Sequence, residues 1–169
     1  MRTGCIFGLG RCVLWTAVLT WVPPALAGPA RRASLSPRDA EAVTRAREGV
    51  ARRLQDAECR KVFSDFRDLR GRTLASKLAE WAVDPVDFLR VVPFRDGTGE
   101  PLCRSGKVML VSSPDVPRIA VCPGFARLQR DRPESAENLV IHELLHTLGL
   151  GENPPTSAEI TGRVESRCQ

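Results

Sequence analysis

The sequence predicts an α+β domain, and three observations carry that expectation. Apolar residues recur at helical spacing in two long segments, one early and one late in the chain. Between them lie short β-prone runs separated by clusters of Gly, Pro, Asp and Ser. No internal repeat or low-complexity tract interrupts this order. The expected architecture is therefore N-terminal helices, a short mixed sheet, a second long helix and a C-terminal helix.

In chain order, Arg2 and Arg11 precede an apolar run from Cys12 to Val22, and Ala25-Leu26-Ala27 stands before Gly28. Residues 1–27 thus read as a cleaved secretory signal, placing the protein outside the cytoplasm, secreted or periplasmic. The run is short for a membrane span and is followed by Pro23 and Pro24, so no stable anchor is expected after cleavage. Residues 28–169 form one domain with length for a single core. The Ala/Arg/Pro-rich stretch 28–35 reads as a loose tail. Ser36-Pro37 then opens a helix to about Phe66, with Val43, Ala46, Val50, Leu54 and Ala57 on one face. Arg45, Arg47, Arg52, Arg53, Arg60 and Lys61 form its solvated basic face.

The net charge of the whole chain is +5, and losing Arg2 and Arg11 leaves 23 basic against 20 acidic residues. So small an excess gives no expectation of nucleic-acid binding. A helix is predicted over Thr73 to Val83, ended by Asp84-Pro85, followed by strands over Phe88–Phe94, Lys107–Val111 and Arg118–Cys122. Four cysteines outlast the signal: Cys59, Cys103, Cys122 and Cys168. An even count in an exported protein points to two disulfides, and the count leaves three connectivities open. The pairing expected is Cys103 with Cys122, stapling the strand region, and Cys59 with Cys168, tying the final helix to the first.

The late helix, Glu137 to Leu148, has Ser135 as its expected N-cap and Gly149 as its stop. Ile141, Leu144, Leu145 and Leu148 form its apolar stripe. At the edge of the stripe lie the only two histidines of the chain, His142 and His146, around Glu143. Positions i and i+4 share a helix face, so both imidazoles can reach one metal ion while Glu143 turns toward the water it carries. Two neutral imidazoles suit Zn²⁺, which makes water acidic enough to supply a nucleophile near neutral pH.

This segment resembles the active-site helix of the zincin metallopeptidases. The extended pattern His142-Glu143-x-x-His146-x-x-Gly149-x-x-Glu152 is similar to the metzincin branch, with Glu152 where that branch usually has His as third ligand. The branch's Met-turn has no counterpart, since no methionine follows the motif. Glu159 is the alternative third ligand. It falls in the first turn of a final helix capped by Thr156 or Ser157 and running through Cys168, similar to gluzincins, where a Glu on a later helix completes the site. Glu152 is preferred because the Gly149 turn returns the chain directly to the metal. Ile119 to Phe125 also looks like the strand that precedes this helix in aspzincin-type enzymes.

The resemblance implies a zinc-dependent hydrolase acting on a peptide or protein substrate, with Glu143 as general base. It implies a substrate strand added to a sheet edge, for which Lys107–Val111 is the expected edge. It also implies a stabiliser for the tetrahedral oxygen. The chain has no tyrosine and no third histidine, which leaves Arg163, Arg118 or the zinc itself. Two other readings stand beside the enzyme: a zincin-like module that holds zinc or a protein partner without turnover, and a purely structural zinc site. Glu143 argues against the first, since a scaffold has no use for a carboxylate there; the second is disfavoured because structural sites are closed by four protein ligands and the cysteines are committed to disulfides.

Overall fold

The computed structural model describes residues 34–169; the signal expected over 1–27 lies outside them. The chain forms α1 (Pro37–Arg53), α2 (Ala57–Arg60), α3 (Val62–Asp65), α4 (Leu74–Glu80), α5 (Pro85–Val91), β1 (Phe94–Asp96) and α6 (Pro101–Arg104). There follow β2 (Leu110–Ser113), β3 (Val116–Val121), α7 (Phe125–Asp131), α8 (Pro133–Thr147) and α9 (Ser157–Arg167). The fold is α+β, with a three-stranded mixed sheet in the order β1-β3-β2. β1 runs parallel to β3, β2 antiparallel to it, and the β2–β3 register shifts between Val111 and Ser113. No helix among the described residues is long and apolar enough to cross a membrane.

Helix α8 is the centre of the domain. Ala136, Val140, Ile141, Leu144 and Leu145 are fully buried, and α1, α7, α9 and the sheet all pack on it. The α1–α8 contact is close because Gly49 faces a buried acid, Glu137, whose carboxylate accepts from Arg53 Nε at 2.6 Å. That pair is nearly dry, and removing either partner would strand the other charge in the core.

Several expected elements differ. The single helix from Ser36 to about Phe66 is three: α1 keeps its Ser36 cap, with Oγ accepting from Asp39 N, but ends at Arg53. Asp56 then caps a fresh turn by accepting from Glu58 N, which turns Cys59, Val62 and Phe63 into the core. Helix α4 is shorter than expected: Thr73, read as its first residue, is instead its N-cap, and it ends at Glu80. Asp84-Pro85 does not merely end a helix; it begins one. The Asp84 carboxylate accepts from Val86 N and Asp87 N, and Pro85 occupies the first turn, so most of the strand expected over Phe88–Phe94 is α5, leaving β1 at Phe94–Asp96.

The other two strands fall at Leu110–Ser113 and Val116–Val121, displaced from Lys107–Val111 and Arg118–Cys122. Ser135 does not cap α8, which begins at Pro133 behind Arg132. Helices α6 and α7 were not anticipated; α7 starts from Gly124, whose φ of 106° suits a residue without a Cβ. Both disulfides form with the expected pairing, Cys59–Cys168 joining α2 to the end of α9 and Cys103–Cys122 joining α6 to the end of β3.

A methyl group at Gly49 would overlap the Glu137 carboxylate, whereas one at Gly99 meets nothing within 4 Å. Gly49→Ala should therefore lower stability by about 1–3 kcal/mol, as overpacking does, and Gly99→Ala by less than about 0.5 kcal/mol. Urea unfolding midpoints of the two variants, read by circular dichroism, decide this; equal midpoints would refute the packing account.

Candidate metal centre

Three ligand atoms converge where α8 ends. His142 and His146, four residues apart on one face, bring their Nε2 atoms to 3.0 Å. The chain then turns back, and Glu152 Oε1 lies 3.3 Å from His146 Nε2 and 3.7 Å from His142 Nε2. This group could hold a metal ion, and it is the one of its kind among the described residues.

The return of the chain follows from Gly149. Its φ is 103°, its N–H donates to His146 O at 2.8 Å, and Leu150 N donates to Leu145 O at 3.1 Å. These two bonds make a Schellman end, which needs a residue that tolerates the left-handed region. A Cβ there would also approach Asp115 Oδ1 to 2.8 Å. Buried Lys77 fixes the same corner, donating to Leu148 O at 2.9 Å and pairing with Asp115 in the β2–β3 turn. The turn places Leu150 O 2.8 Å from His146 Nδ1. The Nδ1 proton therefore goes to that carbonyl, and the Nε2 lone pair faces the centre.

His142 is arranged alike through Thr161 on α9, whose Oγ1 is 3.0 Å from His142 Nδ1. Burial, and then the neighbouring His146, push the His142 pKa down to about 4. The imidazole is thus neutral at neutral pH, the form a metal requires. Glu143 is buried beside the ligands, and its Oε2 accepts from Ser112 Oγ at 2.6 Å. Burial raises its pKa, and the Ser112 hydroxyl partly opposes that rise.

The centre opens into a cleft of about 640 Å³. One wall is β2, the sheet edge, which contributes Val111 and Ser112; Leu102, Val108, Met109 and Leu139 make much of the rest apolar. The edge expectation thus holds for the strand, with its ladder displaced to Leu110–Ser113.

The structure brings His142, His146 and Glu152 together, with Glu143 in the lining of the same cleft. Glu159 is not part of the group: its carboxylate accepts from Thr156 N and Thr156 Oγ1, both at 2.8 Å, while its own N–H donates back to Thr156 Oγ1. This capping box also lowers the Glu159 pKa. Arg163 lies outside the cleft lining, 3.7 Å from Asp65 Oδ2, and Arg118 is exposed on β3 and also outside it. Ser112, Thr161 and Lys77 escaped the sequence reading, because each meets α8 from a distant part of the chain with no local pattern to mark it. No family model matches this chain, and neither does any curated protein or solved structure.

The two acids separate by experiment. Glu152→Ala should weaken binding of a divalent ion at least tenfold, as losing a ligand leaves only two imidazoles. Glu159→Ala should leave that affinity unchanged and instead lower stability through the lost capping box. Competition against a chromogenic chelator reads the first and urea unfolding the second; a larger affinity loss for Glu159→Ala would reverse the assignment.

Proposed function

We propose that this chain is a zinc-dependent metallopeptidase of zincin type, exported to an oxidising compartment and acting on extended peptide segments. The observation that carries the reading is the triangle of His142 Nε2, His146 Nε2 and Glu152 Oε1 with the Glu143 carboxyl buried beside it. Tetrahedral zinc, with bonds of about 2.0–2.2 Å, separates neighbouring ligand atoms by about 3.3–3.6 Å. The distances here, 3.0, 3.3 and 3.7 Å, bracket that range. Three protein ligands also leave a fourth position open, as catalytic rather than structural sites do.

Bound there, zinc supplies Lewis acidity that polarises a peptide carbonyl and acidifies water. The chain's own groups do the rest. Glu143 takes a proton from the attacking water and delivers it to the leaving amine, a role favoured by a carboxyl whose proton affinity is raised by burial. Ser112 keeps that carboxylate aimed by donating to Oε2. The outer edge of β2 has no strand partner among the described residues, so a peptide laid along it gains main-chain hydrogen bonds beside the metal. The apolar lining favours apolar side chains in that peptide and excludes water around the reacting bond. Export is supported by the two disulfides and the 1–27 signal pattern.

A module that holds zinc or a protein partner without turnover draws on one observation, the position of Arg118 and Arg163 outside the cleft. Glu143 weighs against it, because burying an extra carboxylate is costly and has no purpose in a passive site.

The oxidised chain from Gly28, loaded with zinc, should bind about one ion and cleave members of a broad peptide library. Glu143→Gln should keep the ion and lose about 10²- to 10⁴-fold in kcat, the usual contribution of a general base. Metal analysis with mass-spectrometric digests measures both. Stoichiometric zinc with no cleavage of any peptide would favour the passive module, and undiminished cleavage by Glu143→Gln would overturn the mechanism.

A further inference from the structure

We infer that Thr161, on the C-terminal helix, is a positioning residue for the ligand His142, an inference that rests on the metal-centre reading above. Threonine hydroxyls within helices ordinarily bond back to a carbonyl one turn earlier. Thr44 does so to Ala40 O at 2.9 Å, and Thr147 does so to Leu144 O at 2.7 Å. Thr161 instead brings Oγ1 to 3.0 Å from an imidazole nitrogen nineteen residues away in sequence.

The register of α9 aims this hydroxyl. The Thr156–Glu159 capping box fixes where the helix begins. Ile160 and Val164, one turn apart, then enter the core, which leaves Ser157 and Thr161 on the adjoining face along the cleft. The far end of α9 is held by the buried Cys59–Cys168 disulfide, and Arg167 Nε donates to Asp65 Oδ2 at 2.9 Å. With Ile160 and Val164 in the core and the disulfide at its far end, the helix keeps this hydroxyl facing the ring.

The chemistry required of Thr161 is to accept. With His142 Nε2 facing the ligand triangle as a lone pair, the ring proton resides on Nδ1 and donates to Thr161 Oγ1, which fixes both tautomer and ring rotation. His146 obtains the same service from the Leu150 carbonyl. Both outer partners are therefore neutral oxygens, and the one anionic ligand is Glu152.

The test uses zinc as probe on the full oxidised chain and on three variants, with affinity read by chelator competition and metal-free thermal midpoints recorded alongside. Thr161→Val keeps the shape and removes the acceptor; it should bind zinc about 10- to 100-fold more weakly, the usual effect of losing such a partner, while its metal-free midpoint, lowered by the unpartnered imidazole, still shows a folded chain at the temperature of the assay. Thr161→Ala, which brings no steric demand, should show the same loss. Thr161→Ser keeps the hydroxyl and should restore parent affinity. Parent affinity in both Val and Ala variants overturns the inference, as does an equal loss in the Ser variant, which would assign the effect to the methyl group. A parent chain that takes up no zinc overturns the metal reading itself, whereas zinc uptake by the parent with no effect of Thr161→Val and Thr161→Ala overturns this inference alone.

Discussion

Two imidazole nitrogens held 3.0 Å apart within the most buried helix of the domain impose the condition that the surrounding structure meets. Polar groups leave water at a cost of a few kcal/mol unless each finds a partner, and a carboxylate costs more. Helix α8 nevertheless buries His142, His146, Glu143 and Glu137. Each is answered from a different part of the chain: Thr161 on α9, the Leu150 carbonyl after the Gly149 turn, Ser112 on β2 and Arg53 on α1. The elements packed around α8 thus supply its apolar neighbours and its hydrogen-bond partners together.

That arrangement explains why the flanks of the site are fastened covalently. Helices α2, α3 and α6 have only four residues each and would not persist alone. Cys59–Cys168 joins α2 to the end of α9, the helix that addresses His142; Cys103–Cys122 joins α6, which forms part of the apolar cleft wall, to the strand behind it. Lys77 does comparable work without a covalent bond, joining the α8 C-terminus to the β2–β3 turn so that edge strand and ligand-bearing turn keep one spacing. The geometry of the His142, His146 and Glu152 group and that of the adjoining cleft are thereby set by the same contacts.

Much of this was legible where the cause is local. Helical period marked α1, α4 and α8, and the Ser36 cap and a Thr156 or Ser157 cap were readable because a side-chain oxygen two or three residues from an orphan N–H acts within one turn. Gly149 was readable as a left-handed stop for the same reason. Asp84-Pro85 was read as the end of a helix, but the dipeptide begins one as readily, and Phe88 and Leu89 are buried within the helix it starts. The break at Leu54 was hidden because its apolar spacing continues across it; only the demand that Cys59, Val62 and Phe63 turn inward shows why the chain bends there.

The same division holds at the site. By itself the sequence determined the facing pair His142 and His146, Glu143 between them, and the turn that could bring Glu152 back, since all four depend on spacing within one helix and its cap. The sequence preferred Glu152 to Glu159 on the Gly149 turn alone, and only the tertiary structure shows which of the two lies beside the histidines. Glu159 lies in a capping box, and whether a carboxylate serves a helix end or an ion depends on where α9 docks. Ser112, Thr161 and Lys77 likewise act across 31, 19 and 71 residues of chain. No local periodicity encodes contacts of that range; they exist only once the core has closed around α8.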